Sequence, residues 1–129
     1  FLLIIVTNQS GIGRGFFTAA AMEKVHTRLR ADLAEAGLSL SGIYHCPHRP
    51  DDGCDCRKPE TALVLQAARE HGLDLSSSWM VGDKCSDMLA GQRTHMRTAL
   101  VYAQSQCVPA PHLIAATLTE AAEGILAWE

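Results

Sequence analysis

Four short apolar runs, each closed by polar residues and separated by stretches with helical spacing, leave this chain few folds to choose from. Residues 1–6 are wholly apolar, and Thr7-Asn8-Gln9-Ser10-Gly11 follows them. Continuous apolar runs of this kind mark strands buried on both faces, as in a parallel sheet. Residues 40–46, 79–81 and 98–102 read as further short strands. Between them lie helical segments. Thr18 can cap a helix running to about Ala36, with Met22, Val25, Leu29 and Leu33 along one stripe and Gly37 as its stop. Pro59 suits the first turn of a helix through about His71, with Gly72 at its end. A third helix runs from near Ser86 to Arg93, and Thr117-Leu-Thr-Glu120 forms a capping box for a last one through Trp128. The order β-α-β-loop-α-β-α-β-α predicts a Rossmann-like parallel sheet in a three-layer α/β/α arrangement. Ligands in such folds sit beyond the carboxyl ends of the strands, which is where Thr7-Asn8, Cys46 and Asp83 fall.

Composition narrows the function classes. The 129 residues make a single domain, 1–129, large enough to bury about two-thirds of its unfolded surface. The formal charge of −3 supplies no net basic field for nucleic acid, and 5% aromatics offer no stacking platform for single strands. The longest apolar run is far short of the roughly 20 residues of a membrane span, and it lacks the flanks of a signal peptide. The reading is a soluble, cytoplasmic, monomeric protein with no nucleic-acid or membrane partner. A chain that opens on Phe1, inside an apolar strand, is expected to be preceded by further residues.

Chemistry concentrates in Cys46-Pro-His48, five residues, then Cys54-Asp-Cys56. Four soft or borderline ligands within eleven residues match tetrahedral zinc. With all four positions supplied by protein, the site over residues 46–56 is a closed, structural one. The competing reading is three reduced thiols in a polar loop. His45 is adjacent but points to the opposite face of the strand. Cys85 and Cys107 read as bystanders, because an odd, clustered cysteine count signals a metal site more than a disulfide framework.

Three other groups can carry chemistry. Thr7-Asn8-Gln9-Ser10-Gly11 offers hydroxyl, amide and backbone donors to phosphate oxygens, or simply makes a turn. Arg57-Lys58-Pro59 places two cations at a helix start, either as an anion site or as solvated surface. In Gly82-Asp83-Lys84-Cys85-Ser86-Asp87, Asp83 can ligate Mg²⁺ and Lys84 can meet an anion. Asp87 either orients its neighbours or complements the helix dipole.

Taken in order, strand-TNQSG, C-x-H-x5-C-x-C-RKP and GDKxxD resemble the zinc-loop branch of the haloacid dehalogenase superfamily, which includes heptose bisphosphate and histidinol-phosphate phosphatases. The resemblance runs from Val6 to about Tyr102. It implies a Mg²⁺-dependent phosphatase that works through an aspartyl-phosphate intermediate on a small phosphorylated sugar. In that scheme Thr7, Lys58 and Asp83 are catalytic: Thr7 bonds the phosphoryl group, Lys58 neutralises it, and Asp83 binds magnesium. Asn8, Gln9, Ser10, Arg57 and Lys84 line the substrate site, and Cys46, His48, Cys54 and Cys56 hold zinc. Ser10 and the Arg14-Gly15 pair favour the 7-phosphate of heptose 1,7-bisphosphate over histidinol phosphate. The sequence departs from the family at its first motif. No Asp-x-Asp-Gly occurs, so the central strand with both catalytic aspartates is lacking, and these 129 residues alone are expected to be inactive. A noncatalytic zinc-stabilised binding module is the reading from another class. His95 stands where the family often has glycine.

Overall fold

The structure, a computed structural model, describes residues 1–102 and 106–128. The chain divides into two compact units, Phe1–Arg57 with Ala62–Ala67, and Lys58–Thr61 with Ala68–Glu129.

In the first unit, β1 (Ile4–Asn8) pairs in parallel with β2 (Gly42–Cys46), setting Thr7 opposite His45 and Asn8 opposite Cys46. A short helical turn, α1 (Ser10–Gly13), follows β1 where the sequence reads only as a flexible turn. The crossover to β2 is α2 (Ala19–Glu35), capped by Thr18, whose hydroxyl accepts the Ala21 N–H at 3.1 Å. Its inward stripe differs from the sequence reading. Met22 and His26 are buried and Leu29 and Leu33 half-buried, while Val25 is 66% exposed. At roughly 100° per residue, positions 22, 26, 29 and 33 cluster on one line and Val25 lies about 70° off it. A histidine therefore occupies the place expected of an aliphatic residue.

The helix α3 (Ala62–His71) starts three residues later than its sequence signals suggest, so Pro59 is not in its first turn. The reason is that Lys58–Thr61 belongs to the second unit, drawn there by contacts with α4 described below.

The second unit contains β3 (Trp79–Gly82), α4 (Cys85–Arg93), β4 (Arg97–Val101), β5 (Leu113–Ala115) and α5 (Leu118–Leu126). A parallel sheet of order β3-β4-β5 carries them. The strand β5 and a one-turn 3-10 helix at Leu75–Ser77 are three residues each, too short to set up a periodic pattern in the sequence. Most of the buried apolar residues lie in this unit: Met80, Met88, Ala90, Ala99, Leu100, Val101, Ala115 and Ala121 among them. Each fully buried large side chain is worth about 1.5–3 kcal/mol. The hydroxyl of buried Thr98 meets His112 Nδ1 at 3.1 Å, and Trp79 packs edge-on against His112 and Trp128. The last helix ends at Leu126, short of Trp128. Its capping box is shifted: Thr117 accepts the Glu120 N–H, whereas the Glu120 carboxylate accepts from Ala116, one residue before the cap.

His95 follows α4 with φ of 61°, a left-handed conformation that glycine adopts more readily. The turn keeps its shape and a histidine takes up the strain. Cys85 and Cys107 are not bystanders: they form a disulfide across 22 residues. Closing a loop of that length contributes about 3 kcal/mol. Two cysteines so far apart in sequence carry no local sign of their pairing. Among the described residues, no helix is long and apolar enough to cross a membrane.

Candidate functional site

The chemically active side chains gather at two places, one in each unit. In the first unit, the parallel pairing of β1 and β2 brings the end of one strand beside the start of the cysteine loop. The Gln9 backbone N–H donates to the Cys46 carbonyl at 2.8 Å, and the Gly13 N–H to the Pro47 carbonyl at 3.0 Å. A Cβ on Gly13 would stand 2.8 Å from that same carbonyl oxygen. Only glycine lets α1 approach the loop so closely. Thr7, Asn8, Gln9 and Ser10 are all half-buried here, and Gln9 Nε2 donates to Thr7 Oγ1 at 3.0 Å. The Thr7 oxygen thus accepts from Gln9 and keeps its own hydrogen for another acceptor.

The loop itself turns back at Pro50, Asp51, Asp52 and Gly53. The Asp52 carboxylate accepts the Arg49 N–H at 2.7 Å, and the Asp52 N–H returns to the Arg49 carbonyl at 3.1 Å. The turn folds Cys54 and Cys56 back onto Cys46 and His48, and the four ligand atoms lie within 4.8 Å of one another. Cys46 Sγ is 3.4 Å from His48 Nδ1 and 3.5 Å from Cys54 Sγ, and His48 Nδ1 is 3.1 Å from Cys56 Sγ. A tetrahedron with about 2.3 Å metal–sulfur and 2.0–2.1 Å metal–nitrogen bonds has sulfur–sulfur and sulfur–nitrogen edges of about 3.5–3.8 Å. The donor set fits a metal ion of the zinc type, and its atoms stand closer together than such a tetrahedron would set them. His45 is not part of the group. Cys46 and Cys56 are also joined as a disulfide, a pairing the sequence reading did not foresee. Those two sulfurs can bond each other or share a metal, because metal ligation requires both as thiolates.

Arg57 ends the first of the two segments that make up the first unit. One of its guanidinium nitrogens is buried and has no hydrogen-bond partner among the described residues. Leaving a buried, charged donor unsatisfied is costly, and an anion would relieve that cost.

The second cluster is built at the carboxyl end of β3. Lys58 Nζ lies 2.6 Å from Asp87 Oδ1, and both side chains are nearly buried, at 12% and 8% exposure. The other Asp87 oxygen accepts the Lys84 N–H at 3.1 Å, which closes the first turn of α4. Gly82 makes room for this carboxylate, since a Cβ there would collide with it. At the far end of α4, Arg93 donates to the Pro59 carbonyl at 3.2 Å and pairs with Glu60 at 3.5 Å. The helix thus grips Lys58-Pro59-Glu60 at both ends, which fixes the ammonium. The sequence offers Asp87 either as an orienting group or as a dipole-complementing carboxylate, and the structure makes it the ion-pair partner of Lys58. Asp83 and Lys84 are exposed on the turn itself. Asp83 also lines a shallow depression with Val81, Val101, Tyr102 and Leu118.

The candidate site residues lie at the carboxyl ends of β1 and β2, in the short segments that follow β1 and β3, or in and just after the cysteine loop. Thr7, Asn8, Gln9, Ser10, Cys46, His48, Cys54, Cys56 and Arg57 fall in the first unit; Lys58, Asp83 and Lys84 fall in the second. Sequence reading passed over Arg93, whose partners lie more than thirty positions upstream and leave no local signal.

Comparison with known proteins follows the same lines. A family described as "HAD-hyrolase-like" matches residues 55–121. D-glycero-beta-D-manno-heptose-1,7-bisphosphate 7-phosphatase of Helicobacter pylori (strain ATCC 700392 / 26695) is 44% identical over 113 residues, which is 87% of this chain and 65% of that protein. The enzyme of that name from Pseudomonas aeruginosa is 45% identical over 97 residues, 75% of this chain and 54% of its own. The chain thus spans less than two-thirds of the length of these curated relatives. The crystal structure of D,D-heptose 1,7-bisphosphate phosphatase from B. bronchiseptica, complexed with magnesium and phosphate, matches with a TM-score of 0.88 at 32% identity. It covers 97% of this chain and 74% of that one.

Proposed function

The chain belongs to the HAD-like hydrolase family, and on that premise we propose that it forms part of a magnesium-dependent phosphatase that removes the 7-phosphate of D-glycero-D-manno-heptose 1,7-bisphosphate. The observation that carries the reading is the nearly buried Lys58 ammonium, held by Asp87 at the end of β3. Directly before it in sequence is a guanidinium nitrogen, buried and without a partner. Two adjacent cations, one of them unsatisfied, suit a phosphate ester. The relatives' shared name supports the choice of sugar.

In this reading Lys58 and Thr7 donate to the equatorial oxygens of the transferring phosphoryl group, where charge builds up. Asp87 acts through Lys58 by holding its ammonium in place. Asn8, Gln9, Ser10, Arg57 and Lys84 bind and orient the rest of the substrate. Asp83 is the magnesium ligand, and the ion supplies Lewis-acid charge stabilisation when bound. Cys46, His48, Cys54 and Cys56 hold zinc, whose role is to fix the loop that leads into Arg57. The carboxylate nucleophile is not among these 129 residues, which contain no Asp-x-Asp-Gly. The extended chain in the test below is one that carries a strand with that motif ahead of Phe1.

The test is phosphate release from heptose 1,7-bisphosphate and from histidinol phosphate. The 129-residue chain should release none. The extended chain should prefer the heptose in kcat/KM, and Lys58→Ala in it should lower kcat by at least 100-fold. Turnover by the 129 residues alone would overturn the missing-nucleophile reading. A preference for histidinol phosphate would overturn the substrate.

A further inference from the structure

We propose that Cys85 and Cys107 are a reversible thiol–disulfide site, with a small-molecule disulfide of the glutathione type as its co-reactant. The two are already a pair, with Cα atoms 5.2 Å apart, inside the range an undistorted backbone bridges. Their surroundings differ in a way that sets an order of events. Cys107 is 7% exposed and packs with Met88 and Leu100. Cys85 is only partly buried, rests against the same cluster, and opens the nine-residue helix α4. The positive end of a helix favours the thiolate. Cys85 is thus the sulfur a soluble reagent can reach, and Cys107 the one that stands behind it.

The chemistry follows in two displacements. The Cys85 thiolate attacks one sulfur of the small disulfide, forming a mixed disulfide and releasing one thiolate. Cys107, as its thiolate, then attacks the Cys85 sulfur, forms the internal disulfide and releases the second. Two protein thiols are oxidised and one small disulfide is reduced to two thiols, whose sulfurs take up the two protons. Reduction by the same thiol runs the steps backwards.

The position gives the exchange a consequence. Cys85 directly follows Lys84, whose N–H closes the α4 turn on Asp87, the residue that holds Lys58. The bond to Cys107 fastens that turn to the segment after β4. Its effect on turnover rests on the phosphatase reading above; the exchange itself does not.

The experiment is a titration of the 129-residue chain in mixtures of reduced and oxidised glutathione with zinc present, quenched by thiol alkylation and digested with trypsin. Cleavage after Lys84, Arg93 and Arg97 places Cys85 in peptide 85–93 and Cys107 in peptide 98–129, so the two travel together only when bonded. The expected result is a cross-linked fraction that rises from near zero to near complete as the ratio changes, and a melting temperature about 10 °C lower in the reduced form. In Cys107→Ser, glutathione should remain trapped on Cys85; in Cys85→Ser, Cys107 should stay unmodified. A cross-link present at every ratio, or at none, overturns the proposal. Phosphate release by the extended chain, assayed in both redox states, separates the two readings: no activity in either state counts against the phosphatase and leaves the exchange standing.

Discussion

Residues 46–56 and the β3–α4 turn both present chemically active side chains, but different forces keep them in place. The cysteine loop is polar, partly exposed and short of apolar neighbours. Of its four candidate ligands only Cys46 is buried, and the turn at residues 50–53 is held by Asp52 and by an exposed Arg49–Asp51 ion pair. The β3–α4 turn has beside it a buried cluster of Met88, Leu100 and Cys107, against which Cys85 packs, and its ion pair is nearly shut off from water. The first region has borrowed its rigidity from a bond between ligands, whether through an ion or through sulfur. The second generates its own. A loop can therefore be held in shape with little core, provided that the sequence brings enough mutually bonding side chains within one short stretch.

The largest expected effect comes from removing the ion. Chelation of the zinc-loaded protein under reducing conditions, or Cys54→Ser, should raise amide hydrogen exchange across residues 46–57 to near the unfolded rate, since metal binding in such loops is folding free energy. Strands β3 and β4 should keep their protection. Equal loss in both regions would erase the contrast. Next is Asp87→Ala, which strands Lys58 without its carboxylate. Breaking a buried pair costs about 3 kcal/mol, read as a drop in the urea midpoint. Lys58→Met with Asp87→Leu should recover most of that loss while remaining catalytically dead in the extended chain. A loss that persists in the double variant would show that the pair contributes more than its charge.

The smallest effect concerns Asp74. The Ser76 and Ser77 hydroxyls donate to its carboxylate and hold its pKa below the ordinary value of 3.8. A folded pKa below the unfolded one stabilises the protein above the unfolded value, and that contribution is lost as pH falls through the folded value. Asp74→Asn should thus cost a little stability at neutral pH, and its difference from the parent should vanish as pH falls below about 4, near the unfolded aspartate value. Because Asp74 is fully exposed, the change should be slight. A large shift at neutral pH would mean that the Leu75–Ser77 turn supports β3 more than its exposure suggests.

The same contrast explains what could be read from the sequence. The gathering of Cys46, His48, Cys54 and Cys56 was legible because its information is local: four cysteine and histidine side chains at short spacing, with a turn between. The alternation of apolar runs with helical stretches gave the parallel α/β class for the same reason. The grip of α4 on residues 58–60 was not legible, because Lys58–Asp87 and Pro59–Arg93 are contacts across about thirty positions. That grip is also why the start of α3 was misread. Pro59 has the chemistry of a helix opener, but tertiary contacts claimed it first. Val25 and His26 show the limit of periodicity: a helical stripe tells which line faces inward, and a histidine on that line is buried although its polarity argues otherwise.

The way Lys58–Thr61 sides with α4, while Arg57 and Ala62 side with the cysteine loop, sets a rule for recombining this protein with its relatives. A chimera that imports a foreign loop should be spliced at the peptide between Arg57 and Lys58, leaving the four residues with the helix that anchors them. A crossover placed at the start of α3, where secondary structure alone would put it, would carry the lysine away from its own aspartate and hand it to a stranger's.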